Sequence, residues 1–143
     1  MERTYTRPLL DKLGVRPGMR VAIVGDVETP DEGAAEPEGR FESRLAERTS
    51  DLTIARPKID TDIVFLAADS TADLAALADV RTRIRPNGAI WVVSRKGKAA
   101  TLPDVEVIAA ARDHDLVDNK VVAFSTTRTA LRLVIPLGLR SKP

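Results

Sequence analysis

Cysteine is absent from this chain and histidine occurs once, at His114. The first absence removes disulfides, thiolate nucleophiles and sulfur-ligated metals together, and the second leaves no histidine-rich zinc site. Aromatic residues make up only 3% of the sequence, so the stacking platforms that bind single-stranded nucleic acid have little to be built from. Glutamine is missing and asparagine appears only at 87 and 119, a usage that fits a thermophilic source and equally a GC-rich genome. Neither charge predominates: Lys+Arg number 22 and Asp+Glu 21, which indicates no global polyanion-binding field. Long apolar runs are missing as well. None approaches the roughly eighteen residues a membrane span requires, and Met1-Glu2-Arg3-Thr4-Tyr5 has no signal-peptide core, so the cytoplasm is the expected location.

What is present is enough for one globular core. The chain has 143 residues, 43% of them hydrophobic and 30% charged. A domain of that length buries roughly 70% of its unfolded surface, and a single domain over 1–143 is expected. The nearly continuous β-branched run Arg20-Val21-Ala22-Ile23-Val24-Gly25 follows the turn Pro17-Gly18 and suits a central parallel strand covered on both faces. Further strands are predicted at Leu52–Ile54, Thr61–Ala67, Ala89–Val93, Val121–Phe124 and Leu131–Ile135. Short helices are predicted at Pro8–Leu13, from Phe41 with Leu45 one turn on, after Ser70 and from Pro103, and Arg85-Pro86-Asn87-Gly88 reads as a turn. Ser70-Thr71-Ala72-Asp73 has the spacing of a capping box. Residues 26–39 hold Asp26, Glu28, Asp31, Glu32, Glu36 and Glu38 without periodicity and read as a flexible acidic loop, and the chain closes in a tail over 137–143. Strands alternating with helices and closed by a hairpin predict an α/β fold whose mostly parallel sheet has one antiparallel strand near the C-terminus.

Three phrases resemble the class I S-adenosylmethionine-dependent methyltransferases over most of residues 8–135. Pro17-Gly18-Met19-Arg20-Val21 leads into the first strand as that family's first motif does, Thr61-Asp62-Ile63-Val64-Phe65 resembles its fourth strand, and Ile84-Arg85-Pro86-Asn87-Gly88 resembles the turn before its fifth. The chain is also similar in length and phrasing to a short bacterial family, domain of unknown function 3052, in Lys12-Leu13-Gly14-Val15, Trp91-Val92 and Val117-Asp118-Asn119-Lys120-Val121. The resemblance implies a three-layer, Rossmann-like sheet of about six strands, because Ile54 runs almost directly to Asp62 and leaves no room for one helix–strand–helix segment.

The departures from that family bear on chemistry. A G-x-G-x-G loop lets backbone approach the cofactor, and an acid ending the second strand accepts its ribose hydroxyls. Here Gly25 is followed by Asp26-Val27-Glu28-Thr29-Pro30, and the second strand ends in Ala55-Arg56-Pro57. Both cofactor determinants are lost, no catalytic group follows the fourth-strand phrase at Ala67-Ala68-Asp69-Ser70, and no cofactor is expected.

Ligands of open α/β sheets gather at the carboxyl ends of the strands. The candidate rim is Gly25, Asp26, Asp69, Ser70, Ser94, Arg95 and Lys96, joined by Arg128 from the closing hairpin. Arg95, Lys96, Lys98 and Arg128 would form a basic crescent beside the free helix end at Ser70, able to hold a phosphate or carboxylate. The bland alternative is that Arg95-Lys96-Gly97-Lys98 is a solvated loop. The acidic loop lacks calcium-loop spacing, and either stays solvated or folds over the basic rim and screens it. Arg81, Arg83 and Arg85 widen the basic region, with no acid between residues 80 and 103. His114, between Asp113 and Asp115, reads as the cap of a helix end, Asp118-Asn119 as a turn after that helix, and Trp91 as core. Three functions follow: a non-catalytic binding or regulatory protein acting through a protein partner or as a homodimer; a binder or enzyme for a small phosphorylated or carboxylated molecule; and, least favoured, a nucleic-acid accessory protein.

Overall fold

The structure is a computed structural model that describes residues 8–140; the N-terminal Met1–Tyr5 reading and the end of the tail lie outside them. A six-stranded sheet runs in the order β2-β1-β3-β4-β6-β5, with β1 at Arg20–Val24, β2 at Asp51–Ile54, β3 at Thr61–Ala67, β4 at Ile84–Arg95, β5 at Val117–Ala123 and β6 at Arg128–Val134. The pairs β1–β2, β1–β3 and β3–β4 are parallel, and β6 is inserted antiparallel between β4 and β5. This is the mostly parallel α/β sheet the sequence predicts.

Alternation along the central strands sorts the side chains into two cores. Ile63, Phe65, Trp91 and Val93 face helices α1 (Leu9–Lys12) and α3 (Phe41–Arg48), where they meet Leu10, Leu13 and Leu45. Phe41, Phe65 and Phe124 stack there with ring centroids 4.6–6.4 Å apart, and Trp91 Nε1 donates to Leu13 O at 3.1 Å, tying α1 to the sheet. Val64, Leu66, Ile90 and Val92 face the other way, against α4 (Leu77–Arg81) and α5 (Asp104–Asp113) through Leu77, Val80, Val107 and Ala111. Three layers result. None of the described helices is long and apolar enough to cross a membrane.

Three local readings are corrected. Residues 26–39, expected as a loop, contain helix α2 at Pro30–Ala35. Arg85–Gly88, expected as a turn before a strand, lies inside β4: between Thr61↔Ile84 and Ile63↔Ala89, β3 advances two residues while β4 advances five. A Cβ on Gly88 would stand 2.9 Å from Asp62 O, which is why the bulge closes on glycine. Asp118 and Asn119 belong to β5, with the register slipping between Asp118 and Lys120, and the left-handed residue after α5 is Asp115 instead (φ 57°). His114 ends α5 as expected. In the described part of the tail, Leu137–Leu139 form one exposed 3-10 turn.

Candidate rim at the strand ends

The C-terminal ends of β1, β3 and β4 converge with the first residue of β6, since Ser94 pairs with Thr129 and Arg95 with Arg128. Gly25 leaves β1 at φ 83°, and a Cβ there would stand 3.1 Å from Ala67 Cβ. Asp69, just past β3, ties the rim together: its Oδ1 accepts from Arg95 N at 2.9 Å, and its Oδ2 lies 3.8 Å from Arg128 Nη1 and 3.9 Å from Arg95 Nε. Ser94 is buried, and Lys96 N donates to Thr127 O at 3.0 Å.

The Ser70 helix end is a weaker anion site than the sequence suggests. Asp73 N donates to Ser70 Oγ at 3.3 Å as the predicted capping box requires, but the Asp73 carboxylate accepts from Asp69 N at 2.9 Å, one residue before Ser70 N. What it opens is a 3-10 turn at Ala72–Ala76 running into the five residues of α4, too short to project a substantial dipole.

The acidic segment crosses this rim, and most of its carboxylates have partners. Glu28 Oε2 accepts from Phe41 N at 2.8 Å and Glu42 N at 3.3 Å, satisfying the start of α3. Thr29 and Glu32 form a true capping box for α2, with Pro30 at its first position. Glu36 accepts from Thr126 Oγ1 at 3.1 Å, and Glu38 pairs with Arg44 at 3.2 Å.

Glu32 makes the central contact. Arg128 donates from Nε to Glu32 Oε2 at 2.9 Å and from Nη2 to Oε1 at 2.8 Å, a fork-to-fork pair, while Nη1 reaches Asp26 O at 3.4 Å. Thr127 Oγ1 donates to the same Glu32 Oε2, and Thr29 N to Oε1. The Arg128 side chain is 2% exposed and that of Glu32 18%. The Arg128 hydrogen bonds hold the Glu32 carboxyl well below the usual carboxylate range, against the opposing effect of burial. The same pairing raises the Arg128 guanidinium further.

The structure therefore brings Gly25, Asp26, Asp69, Ser94, Arg95, Lys96 and Arg128 to one rim but breaks the expected crescent, because Arg128 is buried under Glu32 while Arg95 stays half exposed. Beside Arg95 runs an open groove of about 360 Å³ whose lining includes Thr29, Glu32, Arg95, Lys96, Thr126 and Thr127. The wider arginine region is divided among partners: Arg85 pairs with Asp62 at 3.0 Å, Arg83 lies 4.0 Å from Asp79, and Arg81 donates to Asp115 O. Sequence reasoning did not single out Glu32 or Thr127. The signal for Glu32 was available in Thr29-Pro30-Asp31-Glu32, a capping signature with proline at the first helical position, but no apolar run follows it to advertise a helix.

With this geometry in view, the class is that of the methyltransferase fold. The chain is similar to a SAM-dependent methyltransferase from Aquifex aeolicus at 16% identity and a TM-score of 0.56, over 89% of this chain and 88% of that one. It is similar to the magnesium protoporphyrin IX methyltransferase of Synechocystis PCC 6803 at 13% identity and a TM-score of 0.54, over 89% and 74%. It also matches a mitomycin 7-O-methyltransferase at 12% identity and a TM-score of 0.55, over 85% of this chain, and there it spans about half the enzyme (49%). These likenesses define the fold alone. No family model matches the chain, and no curated protein matches it.

Proposed function

We propose that this chain is a non-catalytic binding or regulatory protein built on a methyltransferase-like core. The observation that carries the reading is the occupant of the rim above β1. Val27, at the position where the family's loop has glycine, is 4% exposed and packed with Ile23 and Phe41. Glu32 covers Arg128 beside it. At the end of β2, where an acid would accept ribose hydroxyls, the chain has Ile54, Ala55 and Arg56, and Arg56 is bound at both ends to Asp79. S-adenosylmethionine does not fit this donor set. Its carboxylate would approach Asp26, Glu28 and Glu32, its ribose would find no acceptor, and no methyl-transfer step is derived for the chain.

The finer assignment to domain of unknown function 3052, the bacterial source and the cytoplasmic location belong to the same proposal, supported by the sequence phrases. So does action through a protein partner or a homodimer, which light scattering on the purified chain would test. A second reading, capture of a small phosphorylated or carboxylated molecule, is favoured by Lys96 and Arg95 lining the groove beside Arg128.

Thermal-shift titration with S-adenosylmethionine and S-adenosylhomocysteine tests the main reading. A ligand at a hundredfold its Kd stabilises by about 2.7 kcal/mol, a shift of several degrees. No shift is expected with either compound, and a saturable one would overturn the proposal.

A further inference from the structure

We infer that Arg128 and Thr127 form a carboxylate-binding site whose resident ligand is the chain's own Glu32, and that α2 is a displaceable plug which a carboxylate-bearing small molecule replaces. This rests on the second functional reading, that the rim takes a small anion, and names the group it would bind and the element that regulates access.

The receptor half is built as anion receptors are. A guanidinium 2% exposed offers two parallel N–H donors, at 2.8 and 2.9 Å, to a carboxylate that also accepts from a threonine hydroxyl. Asp69, 3.8 Å from Nη1, and the Asp26 carbonyl, 3.4 Å from it, hold the fork in place from the side away from Glu32. A guanidinium so oriented binds any carboxylate that can reach it.

The occupant half is held differently from the rest of the molecule. Helices α1, α3, α4 and α5 each bury leucine, valine or phenylalanine side chains. The buried residue of α2 is Gly33, which has no side chain, while Pro30, Asp31, Ala34 and Ala35 are exposed. What retains α2 is polar: Glu32 on Arg128 and Thr127, and Glu36 on Thr126. Apolar contact survives competition from anions, whereas charge-assisted contact is exchanged for an equivalent partner. The 360 Å³ groove that borders the Glu32–Thr127 contact is also lined by Arg95 and Lys96, which attract an anion to the exchangeable bond.

Acetate is the probe. In the full chain carrying Glu32→Ala, sodium acetate should raise the melting temperature saturably above sodium chloride at equal ionic strength, with an acetate Kd at least tenfold tighter than that of the unaltered chain. The double variant Glu32→Ala with Arg128→Leu should show no acetate-specific rise. If Glu32→Ala does not fold, Glu32→Ser, which also removes the carboxylate and is too short to reach the Arg128 fork, is titrated the same way by NMR. In the unaltered chain, molar acetate should accelerate hydrogen exchange of the α2 amides relative to chloride, while those of β3 and β4 stay unchanged. An acetate effect no larger than chloride's, or one undiminished in the double variant, overturns the site; unaltered α2 exchange overturns the plug. The non-catalytic reading stands or falls separately, on the S-adenosylmethionine titration.

Discussion

Replacing Arg128 by methionine should be among the costliest single polar changes in the molecule, and its cost should depend on pH in a direction the geometry dictates. Methionine fills most of the apolar volume but leaves Glu32, 18% exposed, without the fork that donates to it at 2.8 and 2.9 Å. Asp69 loses a cation at 3.8 Å in the same step. Stranding one member of a buried pair costs about 3–5 kcal/mol, which for a domain of this size corresponds to a fall of roughly 10–20 °C in melting temperature. The converse change, Glu32→Gln, should cost only about 1.5–3 kcal/mol, because Arg128 keeps Asp69 and the Asp26 carbonyl and the amide oxygen can still accept. The sign with pH follows from the depressed Glu32 carboxyl. A carboxylate held below its unfolded value adds stability above that value and loses it as the pH falls. The unaltered protein therefore weakens as the pH falls below about 5, the methionine variant keeps only the smaller share due to Thr127 and Thr29 N, and the gap between them narrows. Urea denaturation followed by circular dichroism at pH 7, 4 and 3 measures this. A deficit below about 1 kcal/mol at pH 7, a gap independent of pH, or Glu32→Gln costing more than Arg128→Met would each refute the reasoning.

Three further outcomes are expected. Thr29→Ala removes one half of the α2 capping box and should cost about 1 kcal/mol, with hydrogen exchange rising in residues 30–36 and not elsewhere. Gly25→Ala places a Cβ at φ 83° against Ala67 Cβ and should destabilise by about 1–2 kcal/mol in a urea melt. Trp91→Phe leaves the Leu13 carbonyl without its buried donor and should cost about 1–3 kcal/mol before any cavity cost, read as a loss of melting temperature by circular dichroism.

The parallel core was legible because its strands are short apolar runs bounded by turn residues. Val21–Ile23, Ile63–Leu66 and Ile90–Val93 are buried on both faces, and a segment of that kind has few other places to go. The position of β6 beside β4 was implied by the family resemblance of the closing hairpin, and the structure pairs Arg128 with Arg95 there. What eluded sequence reasoning was structure held by polar contacts. Pro86 and Gly88 advertise a turn by composition, yet they serve a bulge that the neighbouring β3 keeps within the sheet. Segment 26–39 looks solvated by its charge, and its order comes from partners distant in sequence: Glu28 on the start of α3 and Glu32 on Arg128. A basic residue 96 positions away cannot be paired with its acid by any local pattern. The same blindness made Arg128 look like an accessible ligand residue.

The insertion of β6 between β4 and β5 has a consequence for how the molecule is made. Translation delivers Glu32 96 residues before Arg128, and β5 can join the sheet only through β6. While the ribosome is still adding residues short of 128, Glu32 lacks the guanidinium that holds it. β6 is thus also the closing bolt: docking it between β4 and β5 completes the hydrogen-bond ladder and recruits α2 in one event.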